Sequence, residues 1–166
     1  AMGESPGKIP GVAEKEGDTV SLRPPEILED LDAVAWPRYE GFPLVRYVTR
    51  ELPIVSSRGC PCACIFCPVP ATSGRKFRAR SPESLVEELT WWHGQGYREF
   101  DFVDDNFTLQ KDRVLRFCAL LSATGLSGWR LKCANGLRAD RVDAELLAAM
   151  KRAGFHYLAF GVESGD

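Results

Sequence analysis

Four short apolar runs, at residues 52–57, 100–103, 129–134 and 156–161, alternate with segments whose apolar residues return every three to four positions. Strand followed by helix, three times over and then a last strand, closes through right-handed crossovers into a parallel sheet. The expected fold is therefore α/β, parallel strand-helix repeats curving into about half of a barrel. Local signals mark the helix ends. Ser81 is placed to cap a helix opened by Pro82 and Glu83, with Leu85, Leu89 and Trp92 on one face and a stop at Gly94–Gly96. Val114, Phe117, Cys118 and Leu121 give the next helix its apolar face. Asp143 caps a third, with Val142 set to staple against Leu147 and Gly154 at its end.

In parallel α/β sheets, chemistry gathers beyond the carboxyl ends of the strands. Here those positions hold a cysteine loop, then Asp104-Asp105-Asn106, Asn135 to Arg138, and Glu163-Ser164. Residues 1–51 have another texture, rich in Pro, Gly and charge, with only Glu26 to Val34 weakly amphipathic before Trp36-Pro37. They read as a linker or extension ahead of a domain spanning 52–166.

At 166 residues the chain suits one domain, and its 21 basic and 23 acidic residues nearly cancel. No basic block offers a footprint for nucleic acid. No apolar run approaches the roughly 20 residues that span a bilayer, and the opening segment lacks a signal-peptide stretch, so the expected location is cytoplasmic. In that setting four of six cysteines crowded between Cys60 and Cys67 point to metal or redox chemistry rather than disulfides.

The loop reads Arg58-Gly59-Cys60-Pro61-Cys62-Ala63-Cys64-Ile65-Phe66-Cys67-Pro68, with CxxxCxxC spacing at Cys60, Cys64 and Cys67. Three thiolates on one tight loop leave one iron of a four-iron cubane without a protein ligand. A small molecule with an amine and a carboxylate can chelate that iron. Cys62 leaves the register open, because Cys62, Cys64 and Cys67 could compete for a metal. The alternative for the whole loop is a structural zinc site built from Cys60, Cys62, Cys64 and Cys67, in a module that binds a partner protein. Cys118 and Cys133 fall on a helix face and in a strand, as core residues do, and neither His93 nor His156 has a partner at metal-ligand spacing.

This loop after a first strand, with an aromatic before its last cysteine, resembles the radical S-adenosylmethionine (SAM) superfamily over residues 52–166. The resemblance implies a 4Fe-4S cluster on Cys60, Cys64 and Cys67, and reductive cleavage of SAM to methionine and a 5′-deoxyadenosyl radical. It places Phe66 near the adenine, and Asp104 and Asp105 where the SAM ammonium is held. Arg138 falls where a fixed charge meets the SAM carboxylate or substrate, and Glu163 with Ser164 where the ribose or amino-acid moiety is bound. Cys62 departs from the pattern, standing where a larger or charged residue is more usual. The set RGCPxxCxFC, RSPE, DDNFT, LRAD and GVESG, with PPEILEDLDAVAWPRYE before it, is most similar to the group that also carries a cobalamin-binding domain. That similarity implies a parent enzyme that is a cobalamin-dependent methyltransferase or an oxidative cyclase, with an electron donor such as flavodoxin or ferredoxin. The family core has six strand-helix units and this chain supplies about three and a half. It is therefore expected to be a fragment, inactive alone and prone to self-association through its last strand.

Overall fold

The computed structural model describes residues 9–39 and 41–163. A four-stranded parallel sheet in sequential order is built from β3 (Glu51–Ile54), β6 (Glu99–Phe102), β7 (Arg130–Leu137) and β8 (Phe155–Phe160). The crossovers are α2 (Pro82–Gly94), α3 (Lys111–Ala123) and α4 (Ala144–Arg152). This is the expected α/β repeat, with alternation explaining the packing. Leu52, Ile54, Phe100, Phe102, Leu131 and Cys133 point to the helix side, where they join Leu85, Leu89, Val114, Phe117, Leu121 and Leu146 in one core. Four phenylalanines, Phe102, Phe107, Phe117 and Phe155, stand at its centre, with ring centroids 4.5–6.5 Å apart. The other sheet face is charged: Lys132 Nζ lies 2.7 Å from Glu51 and 3.6 Å from Asp101.

The caps form as their chemistry dictates. Ser81 Oγ accepts from Ser84 N at 3.1 Å, and Asp143 Oδ1 accepts from Leu146 N at 2.9 Å. Gly154 is required where α4 turns into β8, because its φ is +104° and a Cβ there would lie 2.7 Å from the Trp129 carbonyl oxygen.

One expectation is corrected. The first strand stops at Ile54 instead of running to Ser57, because Ser56 and Ser57 are pulled aside to bond Asp104. The chain then makes β4 (Ser57–Arg58), antiparallel to β5 (Arg78–Ala79), and this hairpin closes the base of the cysteine loop around the short α1 (Val69–Thr72). The segment before residue 51, read as a linker or extension, carries local structure. An exposed hairpin joins β1 (Ala13–Glu16) to β2 (Thr19–Leu22), and residues 28–32 are strapped to the core by side chains. α3 itself begins at Lys111, after a single 3-10 turn over Phe107–Leu109.

Candidate functional site

The carboxyl ends of the parallel strands and the cysteine loop enclose an open cavity of about 570 Å³. Cys60, Cys62, Cys64, Phe66 and Cys67 form one wall. Asp105 and Asn106 from beyond β6, Asn135 to Asp140 around the end of β7, and Gly161 and Glu163 beyond β8 form the others. Sequence order alone scattered these groups over a hundred residues; the parallel sheet brings them to one mouth.

The loop is held from beneath. Gly59 sits at φ +82°, and a Cβ on it would lie 2.3 Å from the Lys76 carbonyl oxygen. Its N–H donates to Asp105 Oδ2 at 2.9 Å, and the next amide, of Cys60, donates to Gly74 O at 3.2 Å. Cys67 N donates to Cys64 O at 3.2 Å, tightening the turn between those two thiols, and Arg75 Nη1 donates to Cys62 O at 3.2 Å. All six cysteines are free thiols. Cys118 and Cys133 are buried in the core, where burial pushes the Cys118 thiol up to about 12 and Cys133 higher than its ordinary value.

The two aspartates expected to act together are separated. Asp104 faces inward and is 2 % exposed. One of its oxygens accepts the N–H groups of Ser56 and Ser57, at 2.6 and 3.1 Å, and the other accepts both hydroxyls. Burial pushes its carboxyl up, while those four donors and the nearby Arg113 pull it down. Its geometry is that of an anchor for the strand end, away from the cavity wall. Asp105 lies on the cavity and steers Gly59. Neither caps α3, whose start has no side-chain cap bond.

Behind Asp104 lies a polar network that sequence reading did not find. Arg113 Nη2 donates to Ser56 O and Oγ, at 2.8 and 2.7 Å, and its Nε donates to Arg80 O at 2.9 Å. Arg80 in turn pairs with Glu88 inside the protein. The only signal was Glu88 itself, a carboxylate on the buried face of α2.

Phe66 is exposed on the cavity rim. Arg138 Nε and Nη2 are both taken by Asp140, at 2.9 Å each, and Nη1 points to Cys64 Sγ at 3.9 Å. The Asp140 carboxylate keeps the guanidinium charged and is itself lowered by it. Glu163 reaches back over Gly161, where a Cβ would meet its Oε1 at 2.9 Å. Ser164 lies outside the described residues. Asn106, 1 % exposed, directs Nδ2 to Cys60 Sγ at 3.8 Å, and Asn135 Nδ2 donates to Asp104 O at 3.1 Å. Both asparagines belong to the polar strand ends noticed in the sequence, though nothing there assigned them a role.

Among the described residues no three His, Cys, Asp or Glu side chains gather closely enough to share one metal ion. A cubane asks for something else, since each thiolate binds a different iron and the three stand further apart. Free thiols on one short loop, facing a cavity wide enough for a small ligand, fit that group. The sequence pattern of the Radical SAM superfamily matches residues 54–166. The chain belongs to the radical SAM superfamily. Two curated relatives extend the likeness to nearly its whole length. An uncharacterized methyltransferase of Pyrococcus horikoshii is 32 % identical over 163 residues, covering 95 % of this chain and 35 % of the relative. The anaerobic magnesium-protoporphyrin IX monomethyl ester cyclase of Synechocystis is 27 % identical over 164 residues, covering 95 % and 32 %. This radical SAM chain thus spans about a third of the length of the curated relatives it matches. Two solved structures share its fold at 20 % identity. The radical SAM methyltransferase TsrM of Kitasatospora setae superposes with a TM-score of 0.77, covering 97 % of this chain and 33 % of that one. The cobalamin-dependent SAM radical enzyme OxsB superposes with 0.76, covering 98 % and 25 %. Among the described residues no helix is long and apolar enough to cross a membrane.

Proposed function

We infer that this radical SAM chain binds a 4Fe-4S cluster through Cys60, Cys64 and Cys67 and presents SAM to it, within a cobalamin-dependent methyltransferase or an oxidative cyclase. The observation that carries this reading is the convergence of those three thiols and the polar ends of β6, β7 and β8 on one cavity. When bound, the cluster would pass one electron from an external donor of the flavodoxin or ferredoxin class to the SAM sulfonium, releasing methionine and a 5′-deoxyadenosyl radical that takes hydrogen from substrate. The chain's own work is positional. Asp105 uses one oxygen on the Gly59 amide and offers the cavity a negative edge for the SAM ammonium. Phe66 supplies an exposed ring face for the adenine, and Glu163 a carboxylate for the ribose or amino-acid hydrogens, with Ser164 beside it in sequence. Asp104 holds Ser56 and Ser57, and so fixes where the loop leaves the sheet.

The methyltransferase and cyclase relatives support the choice of parent reaction, and cobalamin would be held by other parts of such a parent. Iron and sulfide analysis after anaerobic reconstitution tests the ligand set. Cys60→Ala, Cys64→Ala and Cys67→Ala should each lose the brown cluster, and Cys62→Ala should keep about four irons per chain. Full iron in Cys60→Ala with loss in Cys62→Ala would show the other register, and colourless protein with one zinc would refute the cluster.

A further inference from the structure

Two side chains outside the ligand set aim N–H groups at ligand sulfurs. Asn106 is almost completely buried, yet its Oδ1 has no partner among the described residues, and its Nδ2 lies 3.8 Å from Cys60 Sγ. A buried amide with an unsatisfied oxygen works against folding, so its presence at this spot asks for another reason. Reversed, the amide would turn its oxygen on a thiolate, an acceptor facing an anion. Arg138 reaches the second sulfur by a different route. Asp140 grips Nε and Nη2 in a fork, which fixes the guanidinium plane and leaves Nη1 directed at Cys64 Sγ, 3.9 Å away. The two donors come from beyond β6 and beyond β7, so the sheet sets their spacing and not the cysteine loop.

We propose that Asn106 and Arg138 are the N–H donors that raise the reduction potential of the cluster, Asn106 through Cys60 and Arg138 through Cys64, with Asp140 as the positioning residue of the second. The proposal rests on the cluster assignment above and deepens it. Reduction adds one electron from an external reductant and transfers no proton, so the extra negative charge spreads onto the sulfurs. Dipoles and a cation directed at those sulfurs favour the reduced state. Together they would set how strong a reductant the cluster is toward SAM.

The test is a mediated redox titration of the anaerobically reconstituted chain, with dithionite as reductant and electron paramagnetic resonance as readout. Asn106→Leu, Arg138→Met and Asp140→Asn should each keep about four irons per chain. Asn106→Leu and Arg138→Met should also lower the reduced-to-oxidised ratio at a fixed potential by up to about tenfold, equivalent to about 59 mV for a one-electron couple, whereas Asp140→Asn, which frees the fork but also removes an anion, should shift it less than Arg138→Met. Arg138→Lys, which keeps the charge without the fork, should fall between wild type and Arg138→Met. If Asn106→Leu fails to hold iron, Asn106→Asp reads the same contact, since it keeps the size while replacing the donor by an anion, and its midpoint should fall further. Wild-type midpoints in iron-replete Arg138→Met and in either Asn106 variant would overturn the proposal. Absence of any cluster in the wild-type chain would instead overturn the ligand assignment on which it rests.

Discussion

Removing the carboxylate of Glu88 gives the sharpest test of how the cysteine loop is held. Glu88 and Arg80 pair with side chains 3 % and 8 % exposed, which puts them in the regime of buried pairs and not of surface ones. Arg80 also donates to Ser84 O at 3.2 Å and Ser84 Oγ at 2.9 Å, and its main chain bonds both Ser56 and Arg113. With Glu88→Ala the guanidinium is left charged, buried and without its counter-ion. Breaking such a pair costs about 3–5 kcal/mol, a large part of the roughly 5–15 kcal/mol that stabilises an ordinary domain. At about 2–4 °C per kcal/mol for a chain of this size, Tm of the metal-free protein should fall by about 6–20 °C. Anaerobic chemical denaturation of wild type, Glu88→Leu, Arg80→Met and the double variant closes a thermodynamic cycle. The double variant should be more stable than the sum of the single losses predicts, by about 2 kcal/mol, because it leaves no orphaned charge. A Glu88→Ala loss within about 0.5 kcal/mol, the range of an ordinary surface change, would refute the reasoning.

Asp104 makes a pH prediction. Burial raises its carboxyl above the ordinary 3.8, so the folded chain keeps the proton over a range where the unfolded chain has lost it. Stability from this group therefore increases as pH falls from the raised folded value toward 3.8. Asp104→Asn lacks that slope, so the stability of wild type minus that of the variant should grow between about pH 7 and about pH 4, and a constant or shrinking difference would count against it. Gly59→Ala must push a Cβ against the Lys76 carbonyl at positive φ, which should cost about 1–3 kcal/mol and speed cluster loss in an iron-release assay; wild-type Tm and retention would sink this account.

What the sequence revealed and what it hid divide along physical lines. Caps at Ser81 and Asp143 involve partners three residues away, and the apolar faces of α2, α3 and α4 repeat within two turns, so both were readable. The CxxxCxxC loop was equally local, and with it the Radical SAM family. Hidden were the contacts between residues about fifty apart in the chain. Asp104 and Asp105 look alike as neighbours, but only the folded sheet turns one toward Ser56 and Ser57 and the other toward Gly59 and the cavity. The first strand ended early for the same reason. The β1–β2 hairpin was missed because its strands are exposed on both faces and its apolar alternation is limited to Val20 and Leu22 in β2; Gly17-Asp18 at its turn was a further clue.

The strap ahead of β3 bears on how this region could be excised or moved. Both oxygens of Asp32 accept from the Ser81 amide, Leu28 O accepts from Arg78 at 2.8 Å, and Glu29 pairs with Lys76 at 2.5 Å. All three partners lie on the stretch that leads out of the cysteine loop into α2. A cut placed at residue 52, where the texture of the sequence changes, would strip that stretch of every one of these ties. The loop is thus not a cassette that travels with its own strand: transplanted into another barrel without residues 28–32, it would arrive with its exit unlatched.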